Sequence, residues 1–375
     1  SYRLVGSEMC IRDRLALSAP SLAATLTVDP SDSTAYATIQ DGIDAAASGD
    51  TVSVASGTYY ECIDTGGKDL TLSGSSATID GAGYCTNTIE VQSGETVTIS
   101  GFTVRNTYYR GAYVYYSDVT FDNVTFDGCG HVSYVSGGGI YAVGGTVSVE
   151  NSTLDDNDGY YGGAINISSG TDLTVSDSTI SSNYAYYGGG IYADQSTTVT
   201  LDTVTLDSNL TYYYGGAVYL NSYADLTSTD TVWSSNSGYY THGTAVFANY
   251  DNEITVSGDT FTDNIANYYT SGYHGGGFYL GSYSDLTASD TVFEGNYGYH
   301  GGAIYGSGYN TIDLTDVDFD GNYARYHGGA VYTYYYSDFS HNGGEYTSNT
   351  SYYSGVGIYA FHYVDVDLDD LDLYS

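Results

Sequence analysis

Basic residues are nearly missing from this chain. Only 7 Lys and Arg stand against 45 Asp and Glu in 375 residues, a formal net charge of −38. Three of the seven (Arg3, Arg12, Arg14) fall in the first fourteen positions, leaving Lys68, Arg105, Arg110 and Arg325 for the rest. Such a surface repels nucleic acid and anionic membranes, so neither is expected as a partner. No run of about 18 apolar residues occurs, which excludes a membrane-spanning helix. Proline is present only twice, and good helix formers are few. No segment carries a ten-residue helical pattern at repeat spacing, which argues against helical solenoids.

What is abundant is Gly, with 49 residues, and Tyr, with 47, beside Thr, Val and Ile, a composition suited to pleated strands and tight turns. Two columns recur along the chain. The first is Asn157, Asn183, Asn209, Asn236, Asn264, Asn296, Asn322 and Asn349, spaced 26 to 32 residues apart. Three residues before each stands an apolar or aromatic residue: Leu154, Ile180, Leu206, Trp233, Phe261, Phe293, Phe319 and Tyr346. Asn106 and Cys129 are expected to extend the column backwards, with Thr103 and Phe126 three residues before them. The second column is a glycine box, as in Gly162-Gly163-Ala164-Ile165 and Gly301-Gly302-Ala303-Ile304, with degenerate copies at Gly243-Thr244-Ala245-Val246 and Gly355-Val356-Gly357-Ile358.

Between the boxes lie alternating segments such as Thr146–Val149, which read as strands with one buried face. Each repeat therefore supplies about three short strands. Stacked coils bury what one coil cannot, so the expected fold is all-β: a right-handed parallel β-helix solenoid with a short N-terminal capping helix. The cap is expected around Ile39, Ile43 and Ala46, which lie at helical spacing. The expected organisation is a leader at 1–14 that resembles translated sequencing adaptor, the remnant of a signal peptide at 15–24, a cap and first coil at 25–60, and repeats over 61–375 that stop in mid-pattern, as a truncated reading frame would.

The joint recurrence of the Gly-Gly-Ala box with Phe261-Thr262-Asp263-Asn264, Phe293-Glu294-Gly295-Asn296 and Phe319-Asp320-Gly321-Asn322 resembles the repeats of the polymorphic outer-membrane proteins of chlamydiae. That resemblance covers roughly residues 101–360 and implies a surface-exposed β-helix engaged in adhesion. The start, Ala37–Ala46 followed by Gly49-Asp50-Thr51-Val52, is similar to that of pectate-lyase-like β-helix proteins, where a short amphipathic helix plugs the solenoid.

Several residues carry possible chemistry. The position before the glycine box is a ring in seven consecutive coils: Tyr161, Tyr187, Tyr214, His242, His274, His300 and His327. The four histidines are either a metal-binding strip or a continuation of ring stacking. A second column, including Tyr192, Tyr219, Tyr279, Tyr305 and Tyr332, should point outward by alternation, and it reads either as a stripe that binds a carbohydrate or a cell-surface protein or as a structural ladder that stabilises the sheet. Asp177, Asp202, Asp230, Asp259, Asp290 and Asp316 recur before the Asn column. They are either solvated turn residues or a strip for Ca²⁺, the one cofactor weighed; otherwise none is expected. Cys62 and Cys85 are one coil apart and read either as a disulfide, which fits an oxidising compartment, or as two unpaired buried thiols. The candidate catalytic group is Asp318, Asp320, Arg325 and His327, but these occupy ordinary repeat positions. The expected function is a secreted or cell-surface scaffold, monomeric and non-catalytic; the alternative is a polysaccharide lyase or glycoside hydrolase of the pectate-lyase-like group.

Overall fold

The computed structural model describes residues 23–92, 94–130, 135–266, 272 and 274–374. The leader expected at 1–14 and most of the signal remnant at 15–24 lie outside them. From Thr25 onward the chain winds into a parallel β-solenoid of about 13 turns. Its strands stack into three sheets of 25, 12 and 8 strands. The largest takes two consecutive strands from most coils, such as Asp172–Ser176 and Thr179–Ser181. The 12-stranded sheet holds the segments after the glycine box, and the 8-stranded sheet those before it.

Alternation sends every second side chain inward, and the parallel register places equivalent residues above one another. Leu206, Trp233, Phe261, Phe293, Phe319 and Tyr346 are direct partners in successive coils. The rings from Trp233 onward stack face to face, from Trp233–Phe261 at 5.2 Å to Phe319–Tyr346 at 4.9 Å, inside the core. Parallel strands hold this separation at roughly 4.8 Å, so each large ring has a large ring above and below it.

The Asn column explains how the coils keep that register. Asn157 to Asn322 are fully buried. The amide oxygen of Asn236 accepts both from the backbone N–H of Asn209, at 3.0 Å, and from its Nδ2, at 3.1 Å. The same Asn209 Nδ2 donates to the carbonyl of Ile180, at 2.9 Å. This unit repeats from Asn157 through Asn349. At the N-terminal end, Cys129 replaces the amide: its N–H donates to Asn157 Oδ1 at 3.0 Å and its thiol faces the Val104 carbonyl at 3.5 Å. Burial pushes that thiol up to about 12, so it stays protonated and can serve as the donor.

One coil earlier the expected column is off by one residue. Phe126 pairs with Val104, not Thr103, which brings the buried Thr107 into the column in place of Asn106. Asn106 is instead an exposed turn residue at φ 53°, bonded to Asp80. Asn is among the residues that tolerate this conformation, which is how it came to mimic a ladder position in sequence.

The glycine box is a second coil-to-coil device. Its first glycine, for example Gly162 at φ 66°, is left-handed, and a Cβ there would lie 2.0 Å from the Ile165 carbonyl oxygen. A Cβ on the second, Gly163, would lie 2.3 Å from the carbonyl oxygen of Gly189 in the next coil. Both positions therefore need glycine for different reasons. At the N-terminal end the one helix among the described residues, Ile39–Ala45, buries Ile39 and Ile43. The Glu61 carboxylate accepts from the N–H groups of Ile39 and Gln40, and Lys68 Nζ donates to the carbonyls of Ile43 and Asp44. Opposite charges thus pin opposite ends of its dipole. Cys62 and Cys85 form a disulfide with Cα atoms 5.7 Å apart.

Asn236→Ala should strip the partner from two donors of Asn209 and from the Leu206 carbonyl. At about 1–3 kcal/mol per buried unpaired group, the loss should be at least about 2 kcal/mol. A urea unfolding midpoint unchanged from the parent would refute this role for the ladder.

Candidate functional site: the aromatic columns

The second aromatic column does face away from the main core, but it is not open to solvent. Tyr192, Tyr219, Phe247 and Tyr332 are only 6–9% exposed, and Tyr279 and Tyr305 are half-buried. The cover comes from the other ring column. The ring before each glycine box lies over the ring that follows the box one coil later: Tyr161 over Tyr192 at 4.7 Å, Tyr214 over Phe247 at 4.7 Å, His274 over Tyr305 at 4.4 Å and His327 over Tyr359 at 4.5 Å. Within the inner column, rings also stack coil on coil, from Tyr192–Tyr219 at 5.0 Å to Tyr305–Tyr332 at 5.2 Å. The two ring columns together form one double layer, a small second core outside the sheets. The open binding stripe expected from alternation is corrected accordingly, because alternation says nothing about a cover that arrives from the neighbouring coil.

The four histidines belong to this layer. Their rings are stacked at 5.2, 5.0 and 5.3 Å, tilted by 34°, 31° and 16°. Ring nitrogens hold their lone pairs in the ring plane, so stacked imidazoles present them side by side and not toward a common point. The backbone N–H of His274 donates to His242 Nδ1 at 3.1 Å, which commits that nitrogen. Among the described residues, no three or more His, Cys, Asp or Glu side chains gather as metal ligands. The metal strip expected at His242, His274, His300 and His327 does not match this geometry. Burial holds His242 and His300 down to about 4, and His274 is lowered further by its two imidazole neighbours.

The acidic column is not one position. Asp177, Asp230, Asp290 and Asp316 occupy a left-handed turn at φ 46–52°. Asp202 sits one residue earlier in its coil, before the left-handed Thr203. Asp259 sits one later, after Gly258, and is buried, accepting from the Trp233 indole N–H and the Thr231 amide at 2.9 Å each. The offsets break the ladder of carboxylates that a Ca²⁺ strip requires.

The four candidate catalytic residues are not assembled either. Asp318 and Asp320 flank the buried Phe319 on the largest sheet, and each is tied to the next coil: Asp318 accepts from the Glu345 amide at 2.9 Å and Asp320 from the Thr347 hydroxyl at 2.7 Å. Arg325 and His327 lie on the 8-stranded sheet, beyond the turn that holds Asn322. The one ion pair among the described residues is Arg105 with Asp80, 3.1 Å.

A feature absent from the sequence reading lies at the turn entering the largest sheet. Tyr223, Tyr283, Tyr309, Tyr336 and Tyr363 all take left-handed backbone at φ 51–63°. Bulky residues avoid this region at a cost of roughly 1–2 kcal/mol. Gly170 and Ser196 serve the same turn in earlier coils, so its backbone does not require a ring. These tyrosines are 41–73% exposed, and most stack along the axis: Tyr283–Tyr309 at 4.9 Å, Tyr309–Tyr336 at 5.7 Å and Tyr336–Tyr363 at 4.9 Å. In the coil between Tyr223 and Tyr283 the left-handed residue is Asp251, and Tyr250, one residue earlier, supplies the ring: it stands edge-on between its neighbours, 6.0 Å from Tyr223 and 5.5 Å from Tyr283, tilted by 80° and 67°. A surface depression of about 420 Å³ is lined by Tyr223 and Tyr283 together with Asp225, Glu253, Asp285 and Asp313. The signal in sequence was a recurrent Tyr-x-Asp, at Tyr223–Asp225, Tyr283–Asp285, Tyr336–Asp338 and Tyr363–Asp365.

A match to one protein family agrees with the architecture. A family model described as "Right handed beta helix region" matches residues 63–210 and 163–359. Pectin methylesterase PemA from Erwinia chrysanthemi superposes with a TM-score of 0.41 at 13% identity, covering 73% of this chain and 90% of its own. PfbA, a surface adhesin of Streptococcus pneumoniae, gives 0.30 at 15% identity, over 82% and 87%. No curated protein matches the chain.

The half-buried imidazoles of His242, His274 and His300 set an acid response. In the unfolded chain they titrate near ~6.5, so between about 6.5 and 4 the unfolded state binds more protons than the folded one. Their contribution to stability is complete above that window and is lost as pH falls through it. Replacing His242, His274 and His300 by Tyr, the residue of the earlier coils, should lessen the drop in melting temperature from pH 7 to 4. An identical drop in parent and variant would show that these rings do not set it.

Proposed function

The chain belongs to the right-handed β-helix family, and from that premise we propose that it is a non-catalytic binding scaffold of the cell surface or extracellular space. The observation that carries the reading is the use made of the outward carboxylates. Asp155 accepts from the Ser181 hydroxyl, Asp172 from Thr198, Asp207 from Ser234, Asp313 from Ser340 and Asp320 from Thr347, each one coil onward at 2.5–2.7 Å. Groups that would do general acid–base work in an enzyme are engaged here in tying coil to coil, the candidate pair Asp318 and Asp320 included. A hydrolase or lyase instead needs carboxylates held free at a substrate bond.

The Cys62–Cys85 disulfide supports an oxidising compartment, in keeping with secretion. The boxes resemble the chlamydial repeats, and on that resemblance we infer a surface-exposed adhesive role, with a glycan or a cell-surface protein as partner. Exposed tyrosines at the turns supply the binding face, since an aromatic ring with a polar tip suits both kinds of partner.

A panel of neutral and acidic polysaccharides, assayed for new reducing ends and unsaturated products, should show no turnover. Turnover that disappears on Asp318→Asn or Asp320→Asn would replace the scaffold reading with an enzymatic one.

A further inference from the structure

In the 8-stranded sheet one β-bulge sets two tyrosines against each other. Gly298 pairs with Ala324 and His300 with His327, so the single residue Tyr299 faces two, Arg325 and Tyr326. A bulge bends its strand and re-aims a side chain. Here it lays the Tyr326 ring over the Tyr299 ring, with centroids 4.4 Å apart and planes 28° from parallel. No two tyrosine rings among the described residues come closer, and the distance is at the short limit of the ~4.5–7 Å usual for aromatic pairs. The corresponding bulge at Tyr186, opposite Tyr212 and Tyr213, leaves its rings at 5.2 and 6.0 Å. One coil further on, Tyr353 continues the stack over Tyr326 at 4.7 Å. The hydroxyl ends of Tyr299 and Tyr326 lie together: the Tyr299 phenol is pushed up to about 12, by desolvation first and then by the Tyr326 hydroxyl beside it. The rings of His300 and His327 stand edge-on to the pair, at 5.0 and 6.1 Å, and restrict its rotation. Tyr353 is 59% exposed and the other two are half-buried, so the stack opens to solvent.

We propose that Tyr299, Tyr326 and Tyr353 are a site of oxidative modification, where a haem peroxidase acting with hydrogen peroxide joins neighbouring coils through dityrosine bonds. Each phenol gives up one electron and one proton and becomes a phenoxyl radical. The unpaired electron sits in a π orbital, on the oxygen and on the ring carbons ortho and para to it. The para carbon carries Cβ, which leaves the two ortho carbons, Cε1 and Cε2, open to coupling. The π lobes point out of the ring plane, so the new carbon–carbon bond grows between stacked faces. Hydroxyl ends that lie together bring ortho carbons together, and the rings are already near the separation of two directly bonded rings, which is the orientation a coupling step needs. Tyr335 and Tyr336 are almost as close, at 4.6 Å, but stand at 85°, edge to face. After coupling, the ortho hydrogens move to the oxygens and restore both phenols. In balance, two tyrosines lose two electrons and two protons, and one hydrogen peroxide takes them up to give two waters.

The test is treatment of the full chain, kept dilute, with a haem peroxidase and limiting hydrogen peroxide. A ring held in contact has an effective concentration ~10³-fold or more above that of other molecules in a micromolar solution, so coupling should stay within the chain. Dityrosine fluorescence should appear in the monomer. Mass mapping of its peptides should place most of the links at Tyr299–Tyr326 and Tyr326–Tyr353, each pair lighter by two hydrogens than the separate peptides. Tyr299→Phe keeps the stack but has no phenol to oxidise; it should lose the first link and keep the second. Tyr326→Phe should lose both and lower the dityrosine of the monomer by roughly tenfold. Tyr283 and Tyr309, exposed and stacked at 4.9 Å, are the comparison pair and should couple less. Melting temperatures near the parent's establish that the variants are folded. Dityrosine confined to dimers and larger species, links at Tyr283–Tyr309 as frequent as those at Tyr299–Tyr326, or an unchanged monomer yield in Tyr326→Phe would each overturn the proposal. None of these outcomes bears on polysaccharide turnover, so the scaffold reading stands or falls separately.

Discussion

Everything in this molecule depends on the buried amide column. An Asn side chain sealed from water must find partners for one acceptor and two donors, and a solenoid interior offers few. The solution is to pair with an identical residue one coil away, whose oxygen takes both the backbone and side-chain N–H of its neighbour. A coil that slipped by one residue would bury those groups unpaired, at a cost of several kcal/mol. The ladder therefore fixes the phase of the coils from Cys129 to Asn349, and the phase decides which residues stack along the axis. Cys129 shows that the requirement is for a donor and not for an amide as such, since a thiol held protonated can face the same carbonyl.

Once the phase is fixed, like residues meet like residues, and their chemistry is multiplied. Inside, this yields the ring stack from Trp233 to Tyr346. Outside, it brings the rings before the glycine boxes over the rings of the next coil, and builds the double layer that includes the histidines. The substitution of His for Tyr halfway along keeps the flat shape and adds a titratable group. Because the layer desolvates them, the imidazoles of His242, His274 and His300 stay neutral well below their usual range, and their effect is on acid stability rather than on ligand capture.

The β-helix was legible because periodicity alone defines it: the Asn column, the apolar residue three before it and the glycine box all recur at coil spacing. What escaped were features that depend on position within a turn or on a neighbouring coil. Asn106 was mistaken for a rung because Asn suits a left-handed turn as well as a buried ladder, and only the pairing of Phe126 with Val104 tells the two apart. The Asp column mixed three turn positions, since a shift of one residue is invisible when spacings vary from 26 to 32. Tyr192 and Tyr219 looked exposed because alternation reports which face a residue takes and not what lies above that face. The ladder at Tyr223 was hidden for a further reason: Tyr is so abundant here that one more column does not stand out until its backbone is seen to be strained.

In a repeat this regular, a function tied to one place has to come from a departure from the pattern. The quartet of Asp318, Asp320, Arg325 and His327 departs from nothing; its carboxylates make the same coil-to-coil bonds as Asp155 and Asp207 elsewhere. The change at Asp251 is different in kind, because the left-handed position loses its ring and Tyr250, one residue earlier, turns edge-on and takes up the space between Tyr223 and Tyr283. The ring column stays in contact although its geometry changes, so the solenoid keeps its coil-to-coil packing even where it departs from its repeat.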